Sequence, residues 1–301
     1  MNPYNDPIEL RKVRDFSQIL NDSFTFIKLH FKPLFKSLIY ICGFFFVATI
    51  AAQVLQQLKT VKLIGFAKAS QGGGFAPGSI YDYTFGPEYF LLILFTILSV
   101  SAVYLVTYCY IKLYKDQHNT APSFEEVWTL FKQYIIRFFV ASILLSIFMC
   151  IGFVFCLIPG FYLFPIVSLA LPIMVMEDKG VTDAFSRSSS LLKDHWWKIF
   201  GVIILSTFIA YFSMGILSLP SGLLSIGSVF IENSPKLLLA GTIFGSILTG
   251  FSQIFYALPA ITSALCYFSL SEEKDGSSLF ERMGTFGTNH NRNDDWPQEE
   301  Y

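Results

Sequence analysis

Long apolar runs alternate with short polar segments along the whole chain, and three of the runs are approached through stretches with apolar residues at helical spacing. The first stretch, 15–30, puts Phe16, Ile19, Leu20, Ser23, Phe26, Ile27 and then Phe31 on one face. Asp15, with Gln18 three residues on, predicts its start. The second starts at Ser123 with a capping box to Glu126, and Phe124, Val127, Trp128, Phe131 and Ile135 form its apolar face. The third opens at Val181. Ala184, Phe185, Ser188, Leu191, Leu192 and Trp196 share its face with Val181, opposite Asp183, Ser186, Arg187, Ser190, Lys193 and Asp194.

The apolar runs predict an all-α integral membrane fold of about six transmembrane helices with three interfacial amphipathic helices. The spans fall near 34–53, 89–111, 138–157, 161–176, 199–219 and 237–270. About 20 residues at ~1.5 Å each cross about 30 Å of hydrocarbon. Ile158-Pro159-Gly160 predicts the break of a hairpin over 135–176, and Pro165 and Pro172 predict kinks in its second arm. Pro220 predicts the end of the fifth span, with 223–231 interfacial or re-entrant. The last run is long for one span, which predicts tilt, a kink near Gly250 or Pro259, or an end standing proud. Three parts follow: a lead and amphipathic helix over 1–33, a membrane domain over 34–270, and an acidic, disordered tail over 271–301. The longest loop, 56–87, carries Gln71-Gly72-Gly73-Gly74 and the aromatics Tyr81, Tyr83 and Phe85.

The three approaches also resemble one another. Phe26-Ile27-Lys28-Leu29-His30-Phe31 aligns without gaps with Leu130-Phe131-Lys132-Gln133-Tyr134-Ile135 and Leu191-Leu192-Lys193-Asp194-His195-Trp196. This pattern predicts a threefold internal repeat, with the interfacial helices forming a cytoplasmic collar.

Composition agrees with a membrane class: 53% of residues are hydrophobic and 14% charged. The net charge of −1 gives no basic field for nucleic acid. Of the 21 Lys and Arg, all but Lys59, Lys62, Lys68 and Lys236 fall on one side of the predicted topology. That bias predicts cytoplasmic termini in a bacterial inner membrane.

Segments 37–53, 89–111, 138–176, 199–219 and 237–271 contain no Asp, Glu, Lys, Arg or His. Proton relays, carboxylate-held metals and intramembrane bases need such groups, so a non-enzymatic protein without cofactor is expected. The five cysteines form no CxxC pair or Cys/His cluster. Arg187 and Ser188, with Lys193, Trp196, Trp197 and Lys198, are the candidate contacts for lipid headgroups. Gly241, Gly245 and Gly250 are candidates for close helix packing.

The runs Ile158-Pro159-Gly160-Phe161-Tyr162-Leu163, Pro172-Ile173-Met174-Val175-Met176-Glu177-Asp178-Lys179-Gly180 and Ala184-Phe185-Ser186-Arg187-Ser188 carry a resemblance. Over about 157–201 the chain resembles the membrane domain attached to some bacterial glycerophosphoryl diester phosphodiesterases, and its stand-alone relatives. In those fusions the chemistry belongs to a separate soluble barrel. No soluble stretch here is long enough for one, so the resemblance implies a membrane module and not the phosphodiesterase activity. The expected function is a scaffold or accessory in a membrane or lipid-related process, with membrane lipids and another membrane or cytoplasmic protein as partners. The alternative is a carrier or channel for a lipid or apolar solute.

Overall fold

The computed structural model describes residues 8–69, 86–117, 120–155, 157–230 and 235–276. These residues form helices and no strand. In chain order they are α1 (Phe16–Leu29), α2 (Phe31–Ala69), α3 (Pro87–Asp116), α4 (Phe124–Phe155) and α5 (Leu157–Met176). There follow α6 (Val181–Leu192), α7 (Trp196–Phe230), α8 (Pro235–Ser252), a 3-10 turn (Gln253–Tyr256) and α9 (Ala257–Asp275). Among the described residues, six helical stretches are long and apolar enough to cross a membrane, the organisation of a multi-pass membrane protein.

Sequence chemistry sets the boundaries. Asp15 N–H donates to Gln18 Oε1 at 3.2 Å, the predicted start of α1. Pro33 follows closely after His30, where α1 ends; proline lacks the N–H that would bond the Leu29 carbonyl. No proline or glycine lies between Phe124 and Ile151, so the second amphipathic stretch and third span are one continuous helix, α4. Ser123 N–H donates to Glu126 at 2.8 Å at its start.

Several predicted boundaries move. Pro159 and Gly160 are not the hairpin break; they lie in the first turn of α5, where a missing N–H costs nothing. α2 continues to Ala69, since good helix formers without proline follow position 53. Pro220 does not end the fifth span, and 223–230 is helix rather than a separate re-entrant piece. Ser218 and Ser221 hydroxyls donate to the Met214 and Ser218 carbonyls around Pro220, adding bonds where the ladder is weakened. The sixth run breaks at the 3-10 turn, between the two predicted kink points, because Pro259 leaves the Phe255 carbonyl without its helical donor. The last helix ends at Asp275, not at 270. Gly276 closes it at φ 58°, its N–H donating to Glu272 O at 2.9 Å. The Gly-rich loop and residues 277–301 lie outside the described residues.

α9 is the central helix: every residue from Ala257 to Leu270 is buried. The stretch Ala240–Asp275 is 78% buried over its apolar window, against 22% for α4. α1 and α7 pack on α9, and α3 pairs with α2. Outward faces remain apolar, with Phe44, Ile136, Val154 and Phe155 at least three-quarters exposed. Glycines permit the closest approaches. A Cβ on Gly160 would sit 2.6 Å from the Phe153 ring, and one on Gly245 would sit 3.0 Å from Ser221. A Cβ on Gly250 would sit 2.2 Å from Ile50. Gly245 and Gly250 thus pack α8 on α7 and α2 within the chain, and Gly241 is buried beside them in sequence.

Gly250→Val should lower stability by about 2–3 kcal/mol through overpacking. Gly43→Ala meets nothing within 4 Å and should not lower it. Thermal unfolding of both variants in lipid nanodiscs checks the pair.

Candidate functional site

The six residues predicted for headgroup contact divide into two groups. Arg187 on α6 pairs with Glu177 at 3.4 Å and with Asp275 at the end of α9. Ser188 is buried, and its hydroxyl donates to the Ile166 carbonyl at 2.6 Å. Both side chains serve the packing of α6 rather than an open phosphate site. Lys193, Trp196, Trp197 and Lys198 instead line a surface groove of about 760 Å³ with Phe161, Tyr162 and His195. Trp196 lies between Tyr162 and Phe200, at 5.8 and 4.8 Å, and its indole N–H donates to Tyr162 O at 3.3 Å. Trp197 is 79% exposed. Lys198 donates to the Arg14 carbonyl at 2.8 Å, so within the groove its charge is already engaged.

Arg14, which the sequence did not single out, is the most buried charge among the described residues. Its Nε pairs with Asp22 at 2.7 Å, and its other nitrogens bond the Leu10, Lys12 and Glu9 carbonyls. Its backbone N–H donates to Ser269 of α9 at 2.9 Å. The partners at 198 and 269 are far away in sequence, so no local signal marks this position.

The matched junction residues each reach a neighbouring helix. His30 Nδ1 lies 3.1 Å from the Tyr110 hydroxyl, and its ring packs against Phe26 and Tyr114. Tyr134 accepts from Lys112 at 2.9 Å. His195 Nε2 lies 3.2 Å from Glu273. Burial holds His30 below its ordinary value. Burial alone would raise Glu177, but hydrogen bonds from Lys179 and Tyr267 and the charge of Arg187 carry it below the usual carboxylate range.

A separate cavity of about 600 Å³ opens between α3, α4 and α5, among the predicted spans. Its walls are mostly apolar, including Ile97, Val100, Phe138, Met149, Phe164 and Leu171, with hydroxyls from Thr96, Ser101, Tyr104, Ser142, Ser146 and Ser168. Thr96 and Ser168 donate to carbonyls of their own helices at 2.8 Å. Ser142 is 8% exposed, and its buried Oγ has no hydrogen-bond partner. Cys150, Val154 and Ser146 on the cavity wall are exposed, so the space opens along the outer flank of α4. The cavity has room and, at Ser142, a fully buried hydroxyl without a partner, but its lining has no ionisable acid or base other than Tyr104 and Cys150. Sequence patterning shows these hydroxyls only as scattered Ser, Thr and Tyr residues, because nothing local tells that they converge.

Among the described residues no cluster of three His, Cys, Asp or Glu is placed to hold a metal. No protein-family model, curated protein or solved structure matches the chain.

Two pH windows follow. A buried histidine with a lowered value contributes no penalty above the unfolded value of about 6.5, and stability falls as pH drops below it. The lowered Glu177 contributes stability that is present above about 4.3 and is lost as pH falls through its lower folded value. Unfolding midpoints measured from pH 8 to pH 3 should show both steps. His30→Phe should remove the upper one and leave the lower, and Glu177→Gln should shrink the lower, to which Glu126 also contributes, and leave the upper.

Proposed function

We propose that the chain is a non-enzymatic multi-pass protein of a bacterial inner membrane, with both termini cytoplasmic, that holds a lipid or other apolar membrane solute. The α3–α4–α5 cavity is its receptor site, and its role is accessory or carrier in lipid handling. The observation that carries this reading is the unpartnered Ser142 hydroxyl, buried in a mostly apolar cavity that opens on the side of the bundle. A buried hydroxyl without a partner costs about 1–3 kcal/mol, and a ligand acceptor or donor placed there recovers it. The chemistry favours a neutral, largely apolar solute with one hydrogen-bonding group.

Further observations support the setting. The uncharged spans suit electrically silent handling of a neutral solute. The bias of Lys and Arg supports the orientation. The shared junction pattern at His30, Tyr134 and His195 supports a repeated unit. The likeness of 157–201 to a phosphodiesterase-linked membrane domain supports a membrane module whose chemistry, where there is any, resides in another protein. The scaffold reading places its contacts on the cytoplasmic collar and the acidic tail, of which residues 277–301 lie outside the described residues.

Ser142→Ala separates ligand binding from folding. It removes an unsatisfied group, so stability after delipidation should hold or rise. The yield of a co-purifying solute, measured by mass spectrometry of lipid extracts, should fall about fivefold, the worth of one hydrogen bond. Met149→Trp, which fills the cavity, should lower it further. Unchanged extracts from both folded variants would contradict the proposal.

A further inference from the structure

A second groove lies at the junction of α1 and α2, apart from the α3–α4–α5 cavity. Its walls are wholly apolar, with Ile27, Phe31, Leu34, Leu38, Leu217 and Phe255 among them, and its volume is about 480 Å³. Ile27 and Phe31 also wall an adjoining hollow of about 590 Å³, whose lining includes Lys28 and Lys32. The apolar groove therefore meets a basic mouth at two shared residues.

Among the described residues Lys12, Lys36 and Lys193 are as unpaired as Lys28 and Lys32, but Lys28 and Lys32 line the hollow that shares Ile27 and Phe31 with the apolar groove. Arg14, Arg137 and Arg187 are each paired with a carboxylate, and Lys198 donates to a carbonyl. Lys28 and Lys32 are exposed, and among the described residues neither makes an ion pair or hydrogen bond. Any acyl chain can fill an apolar groove on the outside of a membrane bundle. Two uncompensated ammonium groups at its rim select the headgroup. We infer that this composite groove binds one anionic phospholipid, with its phosphate on Lys28 and Lys32 and an acyl chain along Phe31, Leu34 and Leu38. The site sits where α1 leaves the surface and α2 begins, so the lipid staples the α1–α2 joint to α7 through Leu217.

The test uses the full chain in nanodiscs of equal phosphatidylglycerol and phosphatidylcholine, with retained lipid counted by native mass spectrometry. Wild type should retain one phosphatidylglycerol in preference to phosphatidylcholine. Lys28→Gln with Lys32→Gln should lower that retention about tenfold. Unfolding in pure phosphatidylcholine should be unchanged, which separates binding from folding. Leu217→Trp, which narrows the groove without touching charge, should also lower retention. A control pair, Lys12→Gln with Lys132→Gln, should leave retention as in wild type. No preference in wild type, retained preference in Lys28→Gln/Lys32→Gln, or equal loss in the control pair would overturn the assignment.

Discussion

A buried guanidinium fixes the charged end of this bundle. Arg14 is 1% exposed, and burying such a charge is costly unless every donor is met. Here Asp22 supplies the counter-charge at Nε, and the carbonyls of Glu9, Leu10 and Lys12 accept from the two terminal nitrogens. Arginine suits the position because its planar fork reaches several acceptors at once, which a lysine point charge does not. The same residue's backbone N–H reaches Ser269 and its carbonyl takes Lys198. One position therefore binds the N-terminal segment to α1, the central helix α9 and the start of α7. A second knot, Arg187 with Glu177 and Asp275, does the same for α6, the end of α5 and the end of α9.

With charge gathered in these knots, the spans can dispense with it. Interior contacts then rest on close approach and on hydroxyls. Glycines bring α8 onto α2 and α7, and a glycine pair closes the α4–α5 hairpin. Thr262 of α9 donates to Ser23 of α1 at 3.1 Å, and Tyr108 meets Ser263 at 2.8 Å. Around α9 such contacts satisfy the polar atoms. Between α3, α4 and α5 the packing opens, and Ser142 is left without a partner. Gln53 Oε1 on α2 is also buried without a hydrogen-bond partner, so the cavity is singled out by an unmet hydroxyl together with open apolar volume.

Much of the architecture was legible in the sequence, for stated physical reasons. Hydropathy located the six membrane-capable stretches because they need about 20 apolar residues each. Caps at Asp15 and Ser123 and the faces of α1 and α6 followed from local chemistry. Pro33 and Pro159 each stand third in a helix, just past a boundary, so the break before α5 falls a few residues ahead of its proline; Pro220 misled, since it lies within a continuous helix. For the site, Lys193, Trp196, Trp197 and Lys198 do share a groove, but Arg187 and Ser188 are committed elsewhere. Arg14 and the convergence on Ser142 escaped because both depend on partners distant in the chain. Uncharged cavity walls carry no motif.

The most direct test of the cavity reading is photo-crosslinking in native membranes from a benzophenone amino acid placed at Ser146, on the exposed rim of the cavity. A dominant adduct with one class of apolar solute is expected, enriched well above its share of the membrane and suppressed by Met149→Trp. Adducts that merely mirror bulk phospholipid composition, unaffected by filling the cavity, would contradict that reading.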